Sequence, residues 1–169
     1  MTLTLIILAF VTLERLAELW LARRNTAALI SKGAFEVAPR HYALIVALHS
    51  LWICGLSWFG WNKPLNLGWL ALFLVLQALR IWVLATLGER WTTRIIILPN
   101  ANLVTSGPYR YLNHPNYTVV IGEIAVLPLA LGLPVYALIF SLANAAVLTL
   151  RIREESAALS DLRHASFKP

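Results

Sequence analysis

Polar side chains that could take part in chemistry are concentrated in residues 103–117 of an otherwise apolar chain. Three tyrosines, one arginine and one histidine fall there within nine residues: Tyr109, Arg110, Tyr111, His114 and Tyr117. Gly107-Pro108 and His114-Pro115 are turn and helix-boundary signals, so the stretch is expected to be a loop that ends where a helix begins. So many hydrogen-bonding groups between apolar segments indicate a binding site at the edge of a membrane.

A second pair of reactive groups follows later in the chain. Arg151 and Glu155 are four residues apart and therefore share one face of a helix, a spacing that alone usually indicates a surface ion pair. Between Thr118 and Leu150 only Glu123 is charged, and Gly132-Leu133-Pro134 divides this apolar segment into halves too short for full spans. A helical hairpin inserted from one side would return the chain to the surface where it entered. Arg151 and Glu155 are therefore expected opposite the His114 turn.

Several common kinds of site are absent from the sequence. It contains no G-x-G-x-x-G dinucleotide fingerprint, no Walker lysine and no H-E-x-x-H zinc motif. Four scattered histidines and the single cysteine, Cys54, form no nucleophile–base pair and no metal-ligand pattern. What remains is a pocket for a polar, charged small molecule, in which catalysis would come from bringing two reactants together.

The elements that must hold this pocket are membrane helices. Hydrophobic residues make up 59% of the chain and charged residues 13%, which departs strongly from a soluble domain. The apolar N-terminal run has no basic region before it, so a cleavable signal peptide is not expected. The net charge of +6 lies beside the apolar segments, which fits membrane topology and anionic headgroups better than a nucleic-acid partner.

We expect an all-α fold with about five transmembrane helices in a single domain, residues 1–169. Three spans are predicted at residues 2–22, 42–61 and 67–87, and the hairpin at 118–150 supplies two more. The segments 23–40, 88–116 and 151–169 carry eleven basic residues, against one in the turn at Lys63. The positive-inside rule then places the N-terminus outside, and the loop and the helical C-terminal tail in the cytoplasm.

Charged residues inside the predicted spans are expected to face the protein interior in pairs. Glu14, Arg15 and Glu18 in the first span favour a structural ion pair with a neighbouring helix, although a direct role in binding substrate or cofactor stays open. Arg80 in the third span is a candidate partner for Glu14 or Glu18. His49 in the second span is expected to be a satisfied core residue.

Two segments are expected not to cross the membrane. Residues 23–40 should connect the first two spans, because Lys32-Gly33 and Pro39 interrupt any continuous helix there. Residues 88–102 are polar at first and too short to span. Their apolar run, residues 95–98, is expected to lie along the interface or to pack under the loop.

The combination of these motifs resembles the isoprenylcysteine carboxyl methyltransferase family. The resemblance rests on residues 103–109 (Leu-Val-Thr-Ser-Gly-Pro-Tyr), on His114-Pro115-x-Tyr117 and on a hairpin ending in Arg151-x-x-x-Glu155. It covers roughly residues 75–160 and implies an integral membrane enzyme that uses S-adenosylmethionine, with a helical frame at 1–87 and a cofactor-binding and catalytic region at 88–160. The chain length and the segment 91–99 are similar to small bacterial members, some of which methylate hydroxyls of alkylpyrone or phenolic lipids.

The resemblance implies a role for each matching position. The wall of the cofactor pocket would be formed by Leu103, Val104 and Tyr109, with Ala101 and Asn102 at its edge. The methionine and adenosine parts of the cofactor would be held by His114, Pro115, Asn116 and Tyr117. Glu155 would contact the cofactor from the tail, and Arg151 would face the anionic group of the acceptor. One position departs from the family pattern: Asn113 stands where arginine usually precedes His-Pro, which leaves a carboxylate acceptor in doubt.

The implied function is O-methylation of an anionic oxygen (a carboxylate, or an enol or phenol hydroxyl) on a lipophilic or lipidated acceptor. The acceptor would enter from the bilayer of the bacterial inner membrane, among membrane lipids. Ester and ether products both stay open. Two alternatives remain at this point. One is an NADPH-dependent membrane reductase of the steroid-reductase type, and the other is a small transporter with a polar path through Glu14, Arg15, Glu18 and Arg80.

Overall fold

Five long helices make up most of the structure. The computed structural model describes residues 2–99 and 101–166, except for the side chains of residues 40, 41 and 158–166. The helices are α1 (Thr2–Ser31), α2 (Pro39–Gly60), α3 (Leu67–Leu87), α4 (Pro115–Ala130) and α5 (Pro134–Ser166). They are joined by 3₁₀ turns at Gly88–Arg90 and Gly107–Arg110 and by two strands, β1 (Phe35–Val37) and β2 (Ile95–Ile97). Residues 167–169, the end of the predicted basic tail, lie outside the described residues.

Three of the described helices are long and apolar enough to cross a membrane: Tyr42–Gly60, Leu67–Arg90 and Pro134–Ala157. Helix α1 carries three charges in its middle, and α4 has only 16 residues. The predicted span at 67–87 coincides with α3. Large apolar side chains such as Leu51, Ile81 and Leu142 are exposed on the outer faces of these helices, as expected for contact with lipid. The prediction of a mostly helical membrane protein is confirmed.

Helix α1 is longer than predicted. The expectation that a connecting segment begins at residue 23 is wrong, because the helix continues to Ser31. The added turns are anchored by buried Asn25, whose amide donates hydrogen bonds to the carbonyls of Gly88 (3.0 Å) and Trp91 (2.8 Å). The helix stops at the predicted break, where Gly33 has a φ of 90° that favours glycine. The longer α1 therefore reaches the start of the loop region.

A two-stranded antiparallel ribbon lies beside that loop region. Strand β1 pairs with β2, with Phe35 opposite Ile97 and Val37 opposite Ile95. Three consecutive isoleucines suit a strand, and Arg94 donates to Glu36 at 2.8 Å across the ribbon. Neither expected placement of residues 95–98 included a strand, because its partner lies far away in sequence. The ribbon adds a small β element to the predicted all-α fold.

The predicted helical hairpin is confirmed, but the expectation that both of its halves are too short to span is wrong for the second: α5 continues past Leu150, and Pro134–Ala157 is long enough to cross a membrane. Helix α4 ends at Ala130, and α5 begins at Pro134 after a turn in which Gly132 has a φ of 66°. The hydroxyl of Tyr136 at the start of α5 donates to the carbonyl of Trp52 in α2 at 2.7 Å. Because α4 and α5 pack against each other along their length, the start of α4 and the charged end of α5 lie at the same edge of the structure.

A cluster of charged side chains is buried where α1, α3 and α4 meet. Arg80 donates to Glu18 at 2.8 Å and to Glu123 at 2.7 Å. Arg15 donates to the same two carboxylates, at 2.6 Å and 2.8 Å, and Gln77 donates to Glu123 at 2.9 Å. The predicted ion pair between the first helix and a neighbour is confirmed, with Glu18 as the partner of Arg80. Glu123 is a second acceptor, which the sequence did not indicate.

Candidate functional site

The larger of two cavities, which we term the outer cavity, lies between residues 101–117, strand β2 and the charged part of α5. Its volume of about 530 Å³ is within the range of small-molecule sites. Its walls include nearly all residues predicted to hold the cofactor: Ala101, Asn102, Leu103, Val104, Tyr109, His114, Asn116, Tyr117 and Glu155. Arg151 also lines this cavity. Pro115 lines neither cavity and instead begins α4, where its fixed φ suits the first helical turn.

The backbone of the loop is held by α3 and the turn that follows it. Arg90 Nη1 donates to the carbonyl of Asn102 at 2.6 Å. Gly107 has a φ of 59°, and a Cβ atom at this position would collide with the side chain of Thr86 in α3. Glycine is therefore required here both by the backbone conformation and by the close approach of α3.

Replacing Gly107 by alanine is expected to destabilise the protein through two separate effects. The left-handed backbone should cost about 1–2 kcal/mol, and overpacking against Thr86 should cost about 1–3 kcal/mol more. Thermal unfolding of the detergent-purified protein, followed by tryptophan fluorescence, measures the sum. Introducing the same change into a Thr86→Ala background should remove the overpacking part alone. An equal loss in both backgrounds would show that the contact with α3 is unimportant.

The start of α4 presents an aromatic pair to the outer cavity. The rings of His114 and Tyr117 stack with centroids 5.2 Å apart and an interplanar angle of 15°. His114 precedes the helix, and its carbonyl accepts the hydrogen bond from the amide of Thr118 at 3.1 Å. Flat aromatic faces of this kind suit stacking against a planar ring of a ligand.

Tyr117 connects the two charged groups of α5. Its hydroxyl donates to Glu155 Oε2 at 2.5 Å and accepts from Arg151 Nε at 3.0 Å. Arg151 Nη1 donates to the carbonyl of Thr93 at 2.7 Å, which fixes the plane of the guanidinium. Among the described residues, Arg151 Nη2 and Glu155 Oε1 have no partner. One donor of the arginine and one oxygen of the carboxylate are therefore available to ligands.

Tyr109 contributes a neutral phenol to the wall of the outer cavity. The residue packs against the buried cluster of Ala22, Val83 and Trp91. Burial, followed by the nearby carboxylate of Glu155, raises the pKa of Tyr109 to about 12. Its hydroxyl therefore keeps its proton near neutral pH and can donate a hydrogen bond to a ligand.

A smaller cavity of about 210 Å³, which we term the inner cavity, lies among α1, α2, α4 and α5. Its surface is mostly apolar and includes the aliphatic residues Leu16, Leu19, Ile45, Val46, Ile53, Val120, Val147 and Leu148. Polar groups line it as well: Tyr42, Thr93 and Arg151 towards the outer cavity, and Arg15, Glu18, His49, Ser50, Arg80 and Asn144 deeper among the helices. The inner cavity thus suits a largely apolar molecule with polar groups.

The two cavities share one wall. Five residues line both of them: Trp91, Thr92, Asn116, Tyr117 and Arg151. Asn116 has a side-chain amide without a hydrogen-bond partner among the described residues. A ligand in either cavity would therefore lie against this wall, within reach of Arg151 and Asn116.

Several lining residues were not predicted from the sequence. Trp91 and Thr92 precede the ribbon, and their polar, non-spanning segment was noted without a function. Asn144 is the single amide between Pro134 and Leu150, and a lone polar residue in an apolar membrane helix is a usable signal. His49 forms the expected local bond, with Nδ1 at 2.9 Å from the carbonyl of Ile45, but it also lines the inner cavity.

Comparison of the sequence with known proteins identifies a family that it matches. Residues 69–161 match the model of the isoprenylcysteine carboxyl methyltransferase (ICMT) family. The chain is 37% identical over 161 residues to a Bacillus subtilis (strain 168) protein named "Uncharacterized protein YpbQ", covering 92% of this chain and 96% of that one. It is 30% identical over 163 residues to an "Uncharacterized protein" of Haemophilus influenzae, covering 88% and 90%. No solved structure gives a significant match.

Proposed function

The chain belongs to the isoprenylcysteine carboxyl methyltransferase family, and on that premise we propose that it transfers a methyl group from S-adenosylmethionine to an oxygen of a lipophilic acceptor. Family membership makes it a membrane methyltransferase. Beyond that membership, we propose the cofactor, the class of acceptor and the roles of the site residues. The observation that carries the proposal is the wall shared by a larger, more polar cavity and a smaller, largely apolar one.

The outer cavity has the chemistry that S-adenosylmethionine requires. Its free carboxylate oxygen on Glu155 suits the positively charged part of the cofactor, while Arg90 and Arg94 in the same wall suit its carboxylate. The stacked rings of His114 and Tyr117 offer a face for the adenine. S-adenosylmethionine held by these residues would supply an activated methyl group on a cationic sulfur, with the neutral thioether as leaving group.

The inner cavity is proposed to hold the acceptor. Arg151 Nη2 would donate to the reacting oxygen and favour its anionic form, because a positive charge at a partly dry site stabilises negative charge strongly. Thr93 and Tyr117 hold the guanidinium in place. An ionised carboxylate, enolate or phenolate would need no further base, and placing the oxygen in line with the methyl group would supply most of the rate.

The proposal also explains why such an enzyme lies in a membrane. A lipophilic acceptor could reach the inner cavity from the bilayer, between helices. The water-soluble cofactor could reach the outer cavity from the aqueous side. We propose that this side is the cytoplasm and that the N-terminus lies outside, because the segments around the cavity are rich in basic residues. The membrane would be the bacterial inner membrane.

The test is methyl transfer and cofactor binding by purified protein in detergent. We expect label from S-adenosylmethionine to appear in lipid extracts only when the protein is present. Glu155→Ala should weaken binding of S-adenosylhomocysteine, measured by calorimetry, about 10- to 100-fold, because a charge-assisted hydrogen bond is lost. His114→Ala should weaken it as well, by a smaller factor.

The matched control is Glu154→Ala, which removes a neighbouring carboxylate that lines neither cavity. It should bind the cofactor product as the wild type does. Undiminished transfer by Glu155→Ala and His114→Ala would contradict the proposal. Tight binding of NADPH, with no binding of S-adenosylhomocysteine, would instead favour a reductase.

A further inference from the structure

Asn144 of α5 carries an amide without an internal partner. The residue is 2% exposed and lines the inner cavity, yet its side chain has no hydrogen-bond partner among the described residues. Buried amides are almost always hydrogen-bonded, so an unpaired one calls for a partner that the protein alone does not supply. A polar atom of a bound molecule would fill that role.

His49 of α2 offers a second free polar atom in the same cavity. Its Nδ1 lies 2.9 Å from the carbonyl oxygen of Ile45, and because a carbonyl only accepts, Nδ1 carries the proton. In the neutral ring Nε2 is then an acceptor, and it has no partner among the described residues. An amide and an acceptor nitrogen together suit a hydroxyl group, which both donates and accepts.

Helix geometry places these two residues at the end of the cavity away from the shared wall. The hydroxyl of Tyr42 accepts from Thr93 at 3.2 Å, and the carbonyl of Thr93 accepts from Arg151, so Tyr42 and Arg151 lie at one level. His49 follows Tyr42 by seven residues on α2, and Asn144 precedes Arg151 by seven on α5. At 1.5 Å per residue both offsets are about 10 Å.

Aliphatic side chains line part of the cavity between the two levels, and the charged side chains of Arg15, Glu18 and Arg80 line the cavity as well. Val46 and Val147 line it at intermediate positions on the same two helices. A separation of about 10 Å along the helices, less a hydrogen bond of roughly 3 Å at either end, leaves about 4 Å between the two oxygens, which fits an acceptor no longer than a single ring. A saturated chain would leave the far polar groups unpaired.

We propose that Asn144 and His49 bind a second oxygen of the methyl acceptor, so that the enzyme selects ring compounds carrying oxygen at both ends. This rests on the proposed function and adds to it the class of acceptor. The oxygen near Arg151 is the one methylated, and the distal hydroxyl stays intact. Asn144 and His49 are thus specificity residues that touch the acceptor away from the reacting atoms.

The experiment compares two single-ring probes that differ by one distal hydroxyl, phenol and hydroquinone. Transfer of label from S-adenosylmethionine gives kcat/KM for each probe, and calorimetry gives the affinity of each for protein saturated with S-adenosylhomocysteine. We expect the wild type to prefer the dihydroxy probe by about tenfold or more, because a site built to bind a hydroxyl rejects its absence. Asn144→Leu should reduce the preference to about twofold or less.

The control is Thr149→Val, a polar-to-apolar change elsewhere on α5 that lines neither cavity. Thr149→Val should keep the wild-type preference. If Asn144 has only a structural role, Asn144→Leu should lower kcat/KM equally for both probes. Equal affinities of the two probes for the wild type, or a preference unchanged by Asn144→Leu, would overturn the inference. Failure of the wild type to bind S-adenosylhomocysteine would instead count against the proposed function. The inference would then be tested by comparing the affinities of the two probes for the free protein.

Discussion

Methyl transfer by an Arg151→Met variant is expected to fall about 100-fold in kcat, because the acceptor oxygen loses the donor that keeps it ionised and in line with the methyl group. Arg151 is 9% exposed, and two of its nitrogens are held by Tyr117 and Thr93. The protein therefore sets the direction of the third nitrogen, Nη2, before a ligand binds. Binding of S-adenosylhomocysteine, measured by calorimetry, should change much less. That difference separates a role in the reaction from a role in holding the cofactor.

Two companion variants sharpen this test. Arg153→Met removes the same charge from an exposed position two residues away and should retain wild-type activity. Arg151→Lys keeps the charge but loses the fork that bonds Tyr117 and Thr93 together, so it should recover only a small part of the rate. An Arg151→Met protein with unchanged kcat would show that the shared wall is not the place of transfer.

The second large effect is expected in stability. Arg80→Met leaves Glu18 and Glu123 to share Arg15 in a buried setting, and breaking a buried ion pair from one side typically costs about 3–5 kcal/mol. For a chain of 169 residues this corresponds to a melting temperature lowered by roughly 6–20 °C. Thermal unfolding in detergent, followed by size-exclusion chromatography, measures the shift.

A double variant tests whether the loss of stability comes from the uncompensated carboxylate. Adding Glu123→Gln to Arg80→Met removes the uncompensated carboxylate, so the double variant should regain part of the lost stability. The exposed pair of Lys32 and Glu89 provides the control, because Lys32→Met should change stability by about 1 kcal/mol or less. A double variant less stable than Arg80→Met would show that the network stabilises the fold through its shape, not its charge.

The sequence predicted the features that depend on local signals and membrane chemistry. Gly132 and Pro134 marked the hairpin turn, and the hairpin explains why Arg151 and Glu155 lie in one cavity with His114 and Tyr117. The i, i+4 spacing placed Arg151 and Glu155 on one helical face, and the cost of charge in lipid predicted a partner for Arg80 on α1. In each of these cases the chemistry of one residue limits the backbone conformation or the possible partners of the residues around it.

The features that were missed depend on contacts between distant segments. Strand β2 exists because β1 lies beside it, and α1 extends to Ser31 because Asn25 finds two carbonyls after α3. The position of His49 on its helix was visible, but the empty space beside it was not, since cavities arise only when several helices pack together. The roles of the outer-cavity residues stay predictions that the binding and transfer measurements address.

The division of the inner cavity among helices has a consequence for how this enzyme could diversify. Helices α1 and α2 lie before residue 69, outside the matched family region, yet they form much of that cavity's wall, including Leu16, Tyr42 and His49. Nearly the whole wall of the outer cavity lies within the matched region. On the proposed function, choice of acceptor is therefore partly encoded in helices α1 and α2. Grafting residues 1–66 of a relative onto this chain is then expected to change the preferred acceptor.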